Sequence, residues 1–184
     1  MPGLKITLLQ QPLVWMDGPA NLRHFDRQLE GITGRDVIVL PEMFTSGFAM
    51  EAAAASLAQD DVVNWMTAKA QQCNALIAGS VALQTESGSV NRFLLVEPGG
   101  TVHFYDKRHL FRMADEHLHY KAGSDGNGCH YRGDSRVINP QGEIIATADA
   151  HQATRIDAEL SMVALREYRE KFPAWRDADE FTFR

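Results

Sequence analysis

The chain has only two cysteines, Cys73 and Cys129, among its 184 residues. Small secreted domains that depend on disulfides are much richer in cysteine, so this count argues against that class. A single bridge stays compatible with the sequence, but reduced thiols fit the count better. We therefore expect a cytoplasmic protein.

Long apolar runs and basic clusters are also missing. No apolar run approaches the roughly 18 residues that a membrane-spanning helix needs, and residues 1–5 lead into a strand rather than a signal peptide. Lysine and arginine total 18 against 24 acidic residues, and the net charge is -6. Because the basic residues are scattered, the sequence does not indicate a basic surface that would bind the phosphate backbone of a nucleic acid. We expect neither a membrane nor a nucleic acid as partner.

The composition is that of a globular protein, with 45% hydrophobic and 23% charged residues. Residues 1–184 are therefore expected to form a single domain. Periodicity predicts one helix that begins at Asp17, a second that is capped by Asp60 and ends near Cys73, and a third over residues 160–171. Strands are predicted at 6–9, 36–40, 76–83, 93–96, 102–106, 136–138, 144–146 and 154–156. Strands and helices in this order indicate an α/β layer protein that contains an antiparallel meander and a late hairpin.

Two charged side chains follow predicted strands. Glu42 comes after the apolar run of residues 37–40, and Lys107 comes after residues 104–106. A carboxylate base and an ammonium that stabilises an oxyanion would serve acyl transfer through a thiol. Alone, either residue would more often be a solvated surface charge. The thiol that the reaction needs is not evident beside them.

Three segments resemble the nitrilase, or carbon-nitrogen hydrolase, superfamily. Leu40-Pro41-Glu42-Met43-Phe44-Thr45-Ser46-Gly47-Phe48 resembles its glutamate motif, Tyr105-Asp106-Lys107-Arg108-His109-Leu110-Phe111 resembles its lysine motif, and residues 133–146 resemble its late hairpin. Within the family the chain is most similar to bacterial omega-amidases, which hydrolyse the amide of small dicarboxylic acid monoamides such as 2-oxoglutaramate. The resemblance implies an αββα sandwich, a homo-oligomer, a small amide or carboxylate as ligand, and neither cofactor nor metal.

The resemblance also implies site residues. Glu42 matches the general base, Lys107 matches the oxyanion-stabilising lysine, and Glu116 matches a supporting second glutamate. In the family, a segment that carries the cysteine nucleophile lies between the lysine motif and the late hairpin. Here Gly123 is followed directly by Ser124, so that roughly 70 residues are missing, a block the size of a small domain. We therefore expect an incomplete sandwich of low stability or altered association, with amidase activity absent or severely reduced.

The sequence is also compatible with other interpretations. The chain could be a non-catalytic remnant that binds small molecules or takes part in an assembly. Cys129 could replace the nucleophile, although its neighbour His130 would point to the opposite side of an extended segment. A metal site is a further alternative, formed by residues 115–119, but His-x-His without a well-spaced third partner is a weak pattern. Cys73 is expected to lie in the core.

Overall fold

The computed structural model describes residues 3–47, 57–86, 88–107 and 132–173. The elements in chain order are β1 (Gly3–Gln10), α1 (Gly18–Leu29), β2 (Val37–Val39), α2 (Gln59–Cys73), β3 (Leu76–Thr85), β4 (Gly88–Val96), β5 (Val102–Asp106), β6 (Arg136–Ile138), β7 (Ile144–Thr147), β8 (Thr154–Ser161) and α3 (Met162–Lys171). Every predicted helix and strand is present in this order. None of the helices in these ranges is long and apolar enough to cross a membrane.

Six strands form the main sheet, in the order β5-β4-β3-β2-β1-β8. The neighbours β1, β2 and β3 run parallel, as short apolar strands linked by helices usually do. Strands β3, β4 and β5 form the predicted antiparallel meander, with Ser80 opposite Phe93 and Phe93 opposite Tyr105. The hairpin of β6 and β7 forms a separate two-stranded sheet.

Helices α1 and α2 cover one face of the main sheet, which we call the helix face. Successive strand residues point to opposite faces, so only alternate side chains reach these helices. Phe25 of α1, Met66 of α2 and Ile77 of β3 are fully buried in this core. Cys73 is also buried there, as predicted.

The opposite face of the main sheet, which we call the second face, is covered by the late hairpin only at the β1 and β8 end. Val137 of β6 packs there with Ile6 of β1 and Ile156 of β8. Towards β4 and β5, Phe93 is 41% exposed and Tyr105 is 53% exposed. Helices, main sheet and hairpin therefore follow one another as layers, in agreement with the first three layers of an αββα sandwich.

The first helix begins as predicted, whereas the second does not. Asp17 is the N-cap of α1, and its side chain accepts a hydrogen bond of 2.9 Å from the Ala20 backbone N–H. The N-cap of α2 is Ala58, which provides no capping side chain, so the predicted Asp60 cap is wrong. Asp60 lies in the first turn instead, where a carboxylate interacts favourably with the helix dipole.

The boundary between the last strand and the last helix also differs from the prediction. Leu160 was expected to begin a helix, but it lies in β8 opposite Leu4 and packs with the hairpin core. Partial burial of the Leu160 side chain and its pairing with Leu4 favour a strand over a helical turn at that position. Ser161 then caps α3, because its hydroxyl oxygen accepts a hydrogen bond from the Ala164 backbone N–H.

Replacing Phe44 with alanine should test how strongly the loop after β2 is anchored in the core. Phe44 is fully buried, and its ring centroid lies 5.8 Å from those of Phe25 and Trp65. We expect Phe44→Ala to lower the free energy of unfolding by about 3–5 kcal/mol, measured by urea denaturation. Phe172→Ala is the control: its side chain is 61% exposed, and a change above about 0.5 kcal/mol is not expected.

Candidate active site

Glu42 lies in the loop that follows β2, and backbone pairing with β3 fixes this loop. The Leu40 N–H donates to Ala78 O at 2.8 Å, and the Phe44 N–H donates to Ser80 O at 3.1 Å. Between them, the Met43 N–H donates to the hydroxyl oxygen of Ser80 at 3.0 Å. Met43 has a φ of 49°, which is uncommon for a residue other than glycine and marks a sharp turn. Glu42 is thus held at the edge of this turn.

Lys107 follows β5 directly, and its backbone N–H donates to Asn91 O at 2.9 Å. Its side-chain Nζ lies 2.9 Å from Glu42 Oε1, so two residues that are 65 positions apart form an ion pair. The two side chains are 34% and 48% exposed, respectively. The structure therefore brings together the two residues that the motifs singled out, at a place open to small solutes.

Asn91 of β4 is a third member of this group that the sequence analysis missed. Its Nδ2 donates to Glu42 Oε1 at 2.6 Å, and its side chain is buried on the second face. A polar residue of low strand propensity in the middle of a strand was a signal in the sequence. Its partner, however, comes from another strand-loop unit and is visible only in the fold.

A cavity of about 400 Å³ opens beside the ion pair on the second face. The sheet contributes small side chains at its floor and aromatic side chains at its wall, and the complete lining is Leu40, Glu42, Gly79, Ser80, Asn91, Phe93, Tyr105 and Lys107. Such a mixture of apolar walls with a few convergent polar groups is typical of sites for small molecules. One acid and one base inside it could move a proton and stabilise a developing negative charge.

Gly79 is needed at this position for steric reasons. A Cβ atom there would lie 3.0 Å from Phe44 Cδ1 and 3.1 Å from Leu40 Cβ. Both contacts are tighter than ordinary van der Waals separation. The absence of a side chain at position 79 therefore allows the loop that carries Glu42 to pack closely on β3.

An ion pair on the helix face fixes the end of β5 just before Lys107. Arg92 donates from Nε to Asp106 Oδ1 at 2.6 Å and from Nη2 to Asp106 Oδ2 at 2.8 Å. Its guanidinium also lies 4.4 Å from the centroid of the Phe104 ring. Hydrogen bonding between the two groups raises the pKa of Arg92 and lowers the pKa of Asp106. The bidentate pair connects β4 and β5 where both strands reach the site.

The remaining candidates from the sequence lie either outside the described residues or in the core. Glu116, Cys129 and the possible metal ligands at residues 115–119 lie outside the described residues. Cys73 belongs to the core, and burial raises the pKa of its thiol, which makes it a poor nucleophile. In the described ranges, no group of three histidine, cysteine or acidic side chains could hold a metal ion.

The chain belongs to the carbon-nitrogen hydrolase family, whose family model matches residues 5–125. Omega-amidase YafV of Escherichia coli is 70% identical to it over an alignment of 253 positions, which covers 98% of this chain and 99% of the relative. Omega-amidase YafV of Yersinia enterocolitica is 43% identical over 253 residues, with the same shares covered. The 2-oxoglutaramate amidase of Bacillus subtilis is 36% identical over 95 residues, which cover 49% of this chain and 36% of the relative.

Solved structures show the same fold. A CN-hydrolase superfamily protein from Xanthomonas campestris superposes with a TM-score of 0.88 at 28% identity, covering 100% of both chains. Nit3 of Saccharomyces cerevisiae, a nitrilase superfamily member, has a TM-score of 0.73 at 15% identity and covers 94% of this chain and 95% of its own. The expected family and the nitrilase-type α/β fold are therefore confirmed.

The ion pair of Arg92 and Asp106 should make the thermal stability of the protein depend on pH in the acidic range. The pKa of Asp106 is lowered in the folded state. Its carboxylate therefore stabilises the fold fully when the pH is above the ordinary pKa of an aspartate, and this contribution is lost as the pH falls through the lowered pKa of the folded state. Arg92→Met should reduce Tm at neutral pH, and its difference from the parent should shrink by about pH 2. Thermal melts of both proteins at each pH measure this. Arg166→Met, in exposed α3, is the control; an equal, pH-dependent loss there would contradict the assignment.

Proposed function

We propose that this chain is an omega-amidase-type hydrolase that keeps the base and the oxyanion-stabilising lysine but lacks the thiol nucleophile. Its amide hydrolysis is therefore absent or very slow. The observation that carries the proposal is the 2.9 Å contact between Lys107 Nζ and Glu42 Oε1 at the mouth of a cavity of about 400 Å³. A solvated surface pair would not need a buried asparagine and a cavity beside it.

The complete reaction would run through a thioester. The Glu42 carboxylate takes the proton of a cysteine thiol, the thiolate attacks the amide carbonyl carbon, and the Lys107 ammonium stabilises the oxyanion. Glu42 returns the proton to the amide nitrogen, the carbon-nitrogen bond breaks, and ammonia leaves. Glu42 then takes a proton from water, which attacks the thioester and releases the acid and the thiol. In this scheme Glu116 supports the other charged groups.

The length of the alignments supports the proposal that this chain lacks a segment. The Escherichia coli relative aligns over 253 residues, whereas this chain has 184, so about 70 aligned positions of the relative have no residue opposite them here. We place this gap at the junction of Gly123 and Ser124, after the lysine motif and before the late hairpin. The single domain of residues 1–184 would then be internally truncated.

The substrates of the complete enzyme would be monoamides of small dicarboxylic acids. The relatives from two bacteria are named omega-amidases, and a third is named a 2-oxoglutaramate amidase. The cavity is large enough for a ligand of this size and is bounded by Phe93 and Tyr105. We also propose a cytoplasmic location and a homo-oligomer, which would cover the apolar side chains left exposed on the second face.

Purified chain should hydrolyse 2-oxoglutaramate and succinamate at no more than a residual rate. Removal of a covalent nucleophile lowers turnover by up to about a millionfold in comparable systems. Ammonia release, followed in a coupled assay, measures the rate. Turnover at about 1 s⁻¹ or faster, an ordinary enzymatic rate, would show that the chain contains a working nucleophile. Loss of that turnover in Cys129→Ser would then identify the nucleophile as Cys129.

Insertion of the corresponding segment of the Escherichia coli relative between Gly123 and Ser124 should restore amidase activity. In the restored chain, Glu42→Gln and Lys107→Met should each lower kcat by about 100-fold or more, because each removes one catalytic group. Tyr168→Phe, on exposed α3, should leave kcat within about twofold. If Glu42→Gln kept full activity in the restored chain, the role proposed for this residue would be wrong.

A second candidate function is binding without catalysis, which the preserved cavity favours. Lys107 could pair with a carboxylate of 2-oxoglutarate or glutarate, and the aromatic wall could contact the carbon chain. Calorimetric titration of the purified chain with both acids should then give saturable heat that Lys107→Met abolishes. Absence of both heat and a thermal shift would exclude this candidate.

A further inference from the structure

Asn91 contacts both charged residues of the site. Its side-chain Nδ2 donates to Glu42 Oε1 at 2.6 Å, and its backbone carbonyl accepts the N–H of Lys107 at 2.9 Å. The side chain is 5% exposed and lies on the second face of β4. Because β4 is paired with β3 on one side and β5 on the other, Asn91 is a rigid point against which the base can be held.

The orientation of the Asn91 amide is fixed by chemistry. An ionised carboxylate only accepts hydrogen bonds, so the amide nitrogen of Asn91 must face Glu42, and the amide oxygen must point away. That oxygen, Oδ1, is buried and accepts no hydrogen bond from any described residue. A buried acceptor without a partner destabilises the folded state. The sheet therefore carries an unfavourable group whose side chain, among the described residues, makes its hydrogen bond to Glu42.

A second buried asparagine shows what a purely structural amide is like in this protein. Asn21 is fully buried, accepts from the Val14 N–H at 2.7 Å, and donates to Val14 O at 2.8 Å and Thr45 O at 2.9 Å. Its polar atoms are all used to join the segment before α1 to the Glu42 loop. In the Asn91 side chain, by contrast, only the amide nitrogen makes a hydrogen bond among the described residues, and its acceptor is the half-exposed Glu42 carboxylate.

We propose that Asn91 is a positioning residue that fixes the Glu42 carboxylate for proton transfer, an inference that rests on the proposed function. Asn91 and Lys107 both donate to Oε1 of Glu42. The other oxygen, Oε2, accepts no hydrogen bond from the described residues and is left to take the proton of the nucleophile. Without Asn91, Oε1 of Glu42 is held by Lys107 alone, so the carboxylate can rotate and Oε2 is no longer kept in one direction.

The experiment compares Asn91→Leu with the matched control Asn21→Leu in the chain as it exists. Leucine at position 91 removes the unsatisfied oxygen, and Glu42, at 48% exposure, can bind water instead, so Tm should stay the same or rise. Asn21→Leu leaves buried backbone groups unpaired, and its Tm should fall by about 6 °C or more. Thermal melts of the three proteins measure this difference.

Two further measurements report on the position of the base. In Asn91→Leu, the Glu42 side chain should become more mobile, seen as a lower NMR order parameter in protein with ¹³C-labelled glutamate. The Kd for succinamate, measured by calorimetry, should increase, because Glu42 and its partner Lys107 line the cavity and a mobile carboxylate leaves both less well placed for the ligand. Asn21→Leu, measured below its Tm, should change neither quantity by as much.

Two results would overturn the inference. One is a fall in Tm for Asn91→Leu as large as that for Asn21→Leu, which would make Asn91 structural. The other is an unchanged order parameter of Glu42 in Asn91→Leu. If the parent chain fails to bind succinamate, the proposed function loses support, and the order parameter together with Tm still decides the role of Asn91.

Discussion

The pairing of residues 40–44 with β3 is the interaction on which the site depends. The hydrogen bonds from Leu40 and Phe44 to the β3 backbone, with Met43 bound to the Ser80 hydroxyl, extend the sheet beyond the end of β2. Because β3 also carries β4 and β5 in fixed register, this pairing determines where Glu42 lies relative to Asn91 and Lys107. The Glu42 and Lys107 side chains are thus placed mainly by backbone geometry.

The two faces of the main sheet have different tasks. The helix face holds the larger apolar core and the bidentate pair of Arg92 and Asp106, which stabilise the sheet. The second face is covered by the hairpin only at one end and presents the cavity at the other. A protein that lost part of its second layer would keep the helix-face core nearly intact. Under the proposed loss of a segment, this separation of the two faces would let the chain keep the geometry of the site.

Local features were predictable from the sequence, and features that depend on distant contacts were not. Asp17 caps a helix through a bond three residues along the chain, so its role was visible in the pattern. The shift of the last helix was not, because Leu160 is held in β8 by pairing with Leu4 at the other end of the chain. The proximity of Glu42 and Lys107 was expected only through family resemblance. Asn91 was missed because its hydrogen bond to Glu42 joins residues 49 positions apart.

Gly79 connects core packing with the geometry of the candidate site, and this connection should be detectable in related sequences. Its missing side chain accommodates Phe44 and Leu40, and these residues flank Glu42. A larger residue at position 79 would displace the loop unless position 44 or 40 became smaller at the same time. Evolutionary drift at these three positions should therefore be coupled, so that the volume of residue 79 varies inversely with that of its two neighbours among family members.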